Sequence, residues 1–339
     1  MTQSTSPHIV RLDAIHCPDS TFNSTFKHTY AAYQKTPPTD DIIIQHLTSP
    51  KPANVAITTR IPISEKTLAA CPDLKLVCAM AIGVDMIDLA ACKKYGVRVC
   101  NVPAASNESV AEHAIALFFS LRRQVVRMHE LTFPGVDWPL RMSLKDEFGE
   151  CPGTCREEIV TILGGGELGG RVANICKALN MKVRFAERKG VAASEVREGR
   201  MAFDECIRSS TAFFLTLPLS PETLNMISSE ELAAMRSDAL IVNVARGGII
   251  NEEALVEALK KRQILGAATD VYFEEPAGLK NSTLVRAANE WTKDDSMKGR
   301  LVLSPHLAWW AKSSIEKLRT TVAANIEAWA GGEVKNEVL

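Results

Sequence analysis

Ile159-Val-Thr-Ile-Leu163-Gly164-Gly-Gly166-Glu167-Leu168-Gly169 is the stretch that decides how this chain folds. Its first five residues are apolar or β-branched and read as a buried strand, which the glycines stop at once. Leu168, Val172, Ile175 and Leu179 then recur at helical spacing, so a helix opens directly from the turn. A second apolar run over 181–186 ends at Glu187, about twenty residues past the turn. Each part has a mechanical reason. Gly164 permits the tight turn, Gly166 lets the backbone approach a pyrophosphate, and Gly169 allows close helix–strand packing. The helix N-terminus offers N–H groups and a positive dipole end to phosphate, and the terminal acid accepts the hydroxyls of a ribose. Glycine runs also occur in structural turns and in methyltransferases. The full order of strand, turn, helix, strand and acid points instead to a dinucleotide site.

Outward from this unit, short apolar runs alternate with amphipathic stretches along nearly the whole chain. The pattern predicts strands at 42–44, Val55–Thr58, 74–78, 97–100, Ile159–Leu163, 182–186, 213–217, 240–244, 265–268 and Leu301–Leu303. Helices are predicted at 64–70, 87–94, 109–130, 168–179 and 252–261. A last one opens near Ser313, with Ile315, Leu318, Val322, Ile326 and Trp329 on one face, and stops at Gly331-Gly332. Continuously apolar strands alternating with helices mean parallel sheets covered on both faces. The fold class is α/β. Residues 131–158, rich in Pro and Gly, read as a loop between two α/β units, and 339 residues suit two domains.

The composition excludes several classes. A hydrophobic fraction of 46% with 23% charged residues is that of a globular chain rather than a disordered one. Lys+Arg 39 against Asp+Glu 40 leaves a net charge of −1, with no electrostatic footprint for nucleic acid or an anionic membrane. No apolar stretch approaches the roughly 20 residues that span a bilayer. Residues 1–7 are polar and lack the features of a signal peptide. Nine scattered cysteines, without paired zinc spacing, suit a reduced, cytoplasmic, metal-free protein.

Three further strands end in groups that carry chemistry. Leu240-Ile-Val-Asn-Val244 runs into Ala245-Arg246-Gly-Gly248, and the planar fork of Arg246 suits a carboxylate. Leu265-Gly-Ala-Ala-Thr-Asp270 ends in an acid and is followed by Glu274-Glu275-Pro276, while Leu301-Val-Leu-Ser-Pro-His306 leads into a histidine. Singly, Arg246 reads equally well as a surface charge, Glu275 as a loop acid and His306 as a core histidine. Together, at successive strand ends, they lie where open α/β sheets bind ligands.

With these residues in view, the chain resembles the D-isomer-specific 2-hydroxyacid dehydrogenase family over roughly 55–331. The resemblance rests on Ile82-Gly83-Val-Asp85, Asn101-Val-Pro103 and Ser109-Val-Ala-Glu-His113. It rests also on the glycine turn, Leu217-Pro218-Leu-Ser-Pro-Glu-Thr223, Asn243-Val-Ala-Arg-Gly-Gly248, Asp270-Val271, Glu275-Pro276 and Ser304-Pro-His306-Leu-Ala308-Trp309. The run Ala186-Glu-Arg-Lys-Gly190 looks most like the glycerate dehydrogenase/hydroxypyruvate and glyoxylate reductase branch.

The resemblance implies two doubly wound, Rossmann-like domains with a cleft between them. Residues 1–104 and 308–339 would form the substrate domain, and 105–307 the dinucleotide-binding domain. It implies His306 as general acid toward the carbonyl oxygen of a 2-oxo acid, Glu275 as its partner, and Arg246 as the carboxylate-binding group. The backbone at Ala81, Ile82 and Gly83 would hold the same carboxylate. The implied cofactor set is Gly164, Gly166, Glu167, Leu168 and Gly169, then Glu187, Arg188 and Lys189, then Leu217, Pro218 and Thr223. Val244, Ala245, Arg246, Asp270, His306 and Ala308 complete it, with Asp270 accepting from the nicotinamide carboxamide. Glu187 favours NAD, and Arg188 or Lys189 swinging toward a 2′-phosphate would admit NADP as a second cofactor. The 109–130 helix suggests a homodimer in this family, and His113 on it reads as structural.

Departures from the family pattern are Ile82, where many relatives carry Thr, the turn Thr154-Cys-Arg-Glu-Glu158, read as a surface turn, and a long 277–303 segment, read as a lid or contact. Two competing readings on the same fold are formate oxidation, against which the Glu275–His306 pair speaks, and a dinucleotide-sensing, corepressor-like binding protein.

Overall fold

The computed structural model describes residues 6–294 and 297–339. The N-terminal leader reading falls mainly on residues 1–5, outside the described residues, as do residues 295 and 296 of the charged run at 293–300. The chain divides into two compact units, Met1–Ser106 with Trp310–Leu339, and Asn107–Trp309. These junctions fall two residues beyond the sequence-based limits.

In chain order the first unit contains β1 (His8–Arg11), β2 (Thr29–Ala32), α1 (Asp40–Thr48), β3 (Val55–Thr58), α2 (Glu65–Ala70), β4 (Leu76–Ala79), α3 (Leu89–Tyr95) and β5 (Arg98–Cys100). The second opens with α4 (Asn107–Arg122), α5 (Val125–Thr132) and α6 (Asp137–Arg141), followed by β6 (Ile159–Leu163), α7 (Glu167–Ala178), β7 (Lys182–Phe185) and α8 (Phe203–Ser209). It continues through β8 (Ala212–Leu215), α9 (Ser229–Ala234), β9 (Leu240–Asn243), α10 (Glu252–Lys260), β10 (Gly266–Thr269), α11 (Thr283–Trp291) and β11 (Leu301–Leu303). The last helix, α12 (Lys312–Ala330), returns to the first unit. There it buries Leu318, Val322 and Ile326 and donates from Asn325 to the Asn101 carbonyl at 2.9 Å.

Both sheets are wholly parallel. The smaller has the order β2-β1-β3-β4-β5, and the larger β11-β10-β9-β8-β6-β7. Successive side chains of the larger sheet feed two different cores. Phe213, Leu215 and Ile241 pack with Ile207, Leu259 and Trp291 on one face. Ile162, Phe214 and Val242 pack with Phe118 and Val172 on the other. Covering on both faces is why these strands carry no polar alternation.

Six readings of the sequence need correction. The 42–44 run is helical: Asp40 and Asp41 sit in the first turn of α1, and Ile43 and Leu47 share its buried face. β1 and β2 were not foreseen, because the first strand is bounded by two polar residues that are themselves buried. Arg11 is fully enclosed, donating to Asp19 at 2.9 Å and to the Cys17 carbonyl at 2.5 Å. The 109–130 helix breaks at Gln124, whose φ of 48° lies in the left-handed region, and the supposed 131–158 loop holds α6. Glu158 is not on the surface: it is buried in an ion pair with Arg122 at 2.6 Å and accepts from Thr211 at 2.5 Å. The 277–303 segment is a crossover between β10 and β11, not a lid. Its helix α11 buries Leu284, Ala287 and Trp291 in the larger unit's core.

Candidate active site

Strand register places the site. Leu163 pairs with Leu215, Leu215 with Asn243, Asn243 with Thr269, and Thr269 with Leu303. The residues that follow these five therefore emerge along one edge of the larger sheet, where side chains and backbone are no longer committed to the ladder.

At β6 the turn is as tight as the glycines imply. Gly164 has φ +111°, and a Cβ there would lie 2.7–2.9 Å from the Thr216–Leu217 backbone. A Cβ on Gly169 would run into the Gly164 carbonyl and approach Ile162, so packing excludes a side chain. Gly166 is different. Its φ of −79° suits any residue, and a Cβ would meet no atom within 4 Å. Neither strain nor packing demands glycine there. What a Cβ would fill is open space before the first turn of α7, the cradle a pyrophosphate needs. Glu167 and Leu168 begin that turn, Glu167 pairing with Arg171 at 3.2 Å. Across the turn, Thr223 donates to the Pro218 carbonyl at 2.9 Å and accepts from the Ser220 N–H at 2.7 Å. These bonds fix the loop after Leu217.

Glu187, just past β7, is buried and ionised. Arg197 and the Arg188 backbone N–H hold its carboxyl down to about 2. The guanidinium of Arg197 contributes Nε at 2.7 Å and Nη2 at 2.5 Å. Arg188 is exposed, whereas Lys189 is engaged: its Nζ lies 2.6 Å from Glu231 and 3.2 Å from the Met226 carbonyl. The cation facing Glu187 is therefore Arg197, which the sequence reading missed. The signal was present as Arg197-Glu-Gly-Arg200, but only the return of the chain, with Glu187 donating its N–H to the Met201 carbonyl at 2.8 Å, makes it local.

Arg246 follows β9 through Val244 and Ala245, both buried. Asn243 builds this corner, accepting the Ala245 N–H at 3.0 Å and donating to the Arg246 carbonyl at 2.9 Å. Arg246 donates from Nη1 to the Ala245 carbonyl at 2.8 Å and is half-buried. Behind it, a Cβ on Gly247 would strike the Tyr272 carbonyl, so the Arg246 corner lies directly on the segment that carries Glu275.

His306 stands at φ +54°, with Nδ1 2.6 Å from Oε2 of Glu275. The other oxygen of Glu275 accepts the Tyr272 N–H at 3.0 Å, which fixes the carboxylate. The His306 carbonyl accepts from the Trp309 indole at 2.8 Å. Glu275 thus commits Nδ1 and sets the orientation of the imidazole ring. Asp270 is buried beneath this turn. It accepts the Leu307 and Ala308 N–H groups at 3.1 and 2.8 Å and the Ser304 hydroxyl at 2.6 Å. Ser304 in turn contacts His113 Nε2 at 3.0 Å. Asp270 thus shapes the His306 turn while keeping acceptor capacity on Oδ2.

Ala81, Ile82 and Gly83 belong to the smaller unit, just beyond β4. The Ala81 carbonyl accepts the Val102 N–H at 3.0 Å and the Ile82 carbonyl accepts from Asn101 at 2.7 Å, while the Ile82 side chain is exposed.

Comparison with known proteins identifies the family. Residues 115–308 match the family described as D-isomer specific 2-hydroxyacid dehydrogenase, NAD binding domain. The chain is 32% identical over 316 residues to a glycerate dehydrogenase of Methylorubrum extorquens, covering 92% of this chain and 93% of that one. It is also 32% identical over 275 residues to a glyoxylate reductase of Aeropyrum pernix, covering 79% and 76%. Among solved structures, it is similar to the D-lactate dehydrogenase of Aquifex aeolicus complexed with NAD and lactic acid. That likeness has a TM-score of 0.75 and 25% identity, over 90% of each chain. The chain belongs to the D-isomer-specific 2-hydroxyacid dehydrogenase family, oxidoreductases with an NAD-binding domain of the α/β fold seen here.

Proposed function

We propose that this chain reduces a small 2-oxo acid, such as hydroxypyruvate or glyoxylate, to its D-2-hydroxy acid. The observation that carries the reading is the His306–Glu275 pair at 2.6 Å on the same strand-end edge as Arg246. Bound nicotinamide supplies the hydride. The fork of Arg246 takes the substrate carboxylate and polarises the neighbouring carbonyl. His306 gives a proton from Nε2 to the carbonyl oxygen, and Glu275 fixes the ring and balances its charge. The larger unit serves as the dinucleotide-binding domain and the smaller as the substrate domain. Glu187 favours NADH, whose ribose diol it accepts, over NADPH.

The test is the loss of reduced-cofactor absorbance with hydroxypyruvate, glyoxylate and a panel of other 2-oxo acids. Turnover with at least one, lost in His306→Gln, is the result expected. Tight NADH binding with no turnover on any member would favour the corepressor-like reading instead.

A second copy of this chain is the partner we assign to the 125–142 arm. Phe133, Trp138, Leu140 and Met142 are 80%, 56%, 77% and 84% exposed. Four large apolar side chains exposed within ten residues of sequence are what a partner surface would cover. Light scattering should give a dimer, and Leu140→Glu with Phe133→Glu a monomer. A monomeric parent chain would end this assignment. Among the described residues no helix is long and apolar enough to cross a membrane. Nine free cysteines, seven of them buried, support a reducing, cytoplasmic setting.

A further inference from the structure

Glu187 is the acid assigned to the ribose diol, yet its carboxylate is already saturated. Oε1 accepts the Arg188 N–H at 2.8 Å and Arg197 Nη2 at 2.5 Å. Oε2 accepts Arg197 Nε at 2.7 Å and the Arg197 N–H at 3.3 Å. A carboxylate offers about four acceptor positions, so a diol finds none until the guanidinium moves away. The arrangement is built by the fold. The chain leaves β7, loops out and returns with Met201 bridged to Ala186, which brings Arg197 and Arg200 back to the strand end. Arg200 donates from Nη1 to the Ala186 carbonyl at 3.0 Å, and its Nη2 lies where a Cβ on Gly165 would project. One guanidinium therefore covers the acid and the other covers the glycine turn. These are the two elements between which the adenosine ribose of a dinucleotide sits.

A latch that merely pins the 188–201 loop is the competing account. Glu187 is buried, but the Arg197 side chain is 53% exposed, so its guanidinium can leave the carboxylate for water without unpacking the core. Two guanidinia against one carboxylate also leave net positive charge at the ribose end, which a latch does not need.

We propose that Arg197, supported by Arg200, determines what the site accepts at the ribose 2′ position. The pair receives a 2′-phosphate that Glu187 alone would repel, and Arg197 leaves Glu187 when an unmodified diol binds. This rests on the larger unit being the dinucleotide site, and it moves the NADPH-admitting role from Arg188 and Lys189 to Arg197 and Arg200.

Calorimetric titration of the whole protein with 2′,5′-ADP and with 5′-AMP tests it without turnover, since neither probe carries nicotinamide. Arg197→Met should shift the affinity ratio of the two by roughly tenfold or more toward 5′-AMP, the scale of a lost bidentate charge-assisted contact. Arg200→Met should shift it the same way by less. Arg197→Lys, which keeps the charge and the fold but loses the fork, should fall between. An unchanged ratio in Arg197→Met and Arg197→Lys, with both affinities falling together, would leave only the latch and overturn the proposal. Binding of 5′-AMP without any 2′,5′-ADP binding by the parent chain would overturn it while sparing the dinucleotide site. Failure of both probes to bind would overturn the site as well.

Discussion

The two sheets are wound alike and used differently. The order β2-β1-β3-β4-β5 reverses direction between β1 and β3, and β7-β6-β8-β9-β10-β11 reverses between β6 and β8. Each reversal opens a crevice at the carboxyl ends of its two strands, the usual ligand position in such sheets. After β6 the chain turns on Gly164 and starts a twelve-residue helix with open space at Gly166. After β1 it passes through Leu12-Asp13 into a single 3-10 turn, Ala14–His16. Asp13 then fills the crevice from within. Its carboxylate accepts the Thr59 N–H at 2.9 and 3.0 Å and the Arg60 N–H at 2.7 Å, although burial pushes its carboxyl up. The smaller unit supplies its own anion where the larger leaves room for one. Topology makes the crevice, and the residues after the first strand decide what occupies it.

If all the chemistry lies on the larger sheet's edge, the largest effect belongs to His306. His306→Gln should lower kcat by about 10²–10⁴ while NADH binding, followed by nicotinamide fluorescence, stays intact. A kcat within a factor of about two of the parent would take His306 out of the reaction. Arg246→Lys comes next, with a loss of about tenfold or more in kcat/KM for the 2-oxo acid, because an ammonium cannot reproduce the fork.

The glycines sharpen the contrast between ligand and packing. Gly166→Ala should weaken NADH binding by about tenfold while leaving the melting temperature unchanged, since its Cβ meets only open space. Gly169→Ala should instead destabilise the fold by about 1–3 kcal/mol, because its Cβ meets the Gly164 carbonyl. Equal losses of stability in both would mean that Gly166 is a packing residue after all. In the smaller unit, Asp13→Asn should cost about 1–3 kcal/mol in a denaturant titration and leave NADH affinity unchanged. The smallest effect concerns acid. The carboxyl of Glu187 sits at about 2 rather than 4.5, so its pair with Arg197 stabilises the fold above about pH 4.5 and is lost as pH falls toward 2. The stability difference between the parent chain and Glu187→Gln should shrink across that window, and a constant difference would deny the pair its effect.

Strand ends were legible in the sequence because each is an apolar run that stops at a glycine or a polar residue, as at Leu163–Gly164, Thr269–Asp270 and Leu303–Ser304. The fold class followed from the same runs. What was hidden depended on partners far along the chain. Arg11 makes β1 look like a surface segment until Asp19 and the Cys17 carbonyl enclose it. Glu158 reads as a turn acid until Arg122, thirty-six residues earlier, meets it. Arg197 reads as loop charge until Met201 pairs with Ala186. Local pattern reports burial of apolar side chains well, and it reports nothing about a charge whose partner the fold supplies.

Amide hydrogen exchange of the whole chain with and without NADH tests the central contrast most directly. Slowed exchange is expected at 164–170, at 187–188 and along 217–223, with no change at 12–14 or 59–60. Slowed exchange at 12–14 and 59–60, with 164–170 unaffected, would place the cofactor in the other crevice and contradict that contrast.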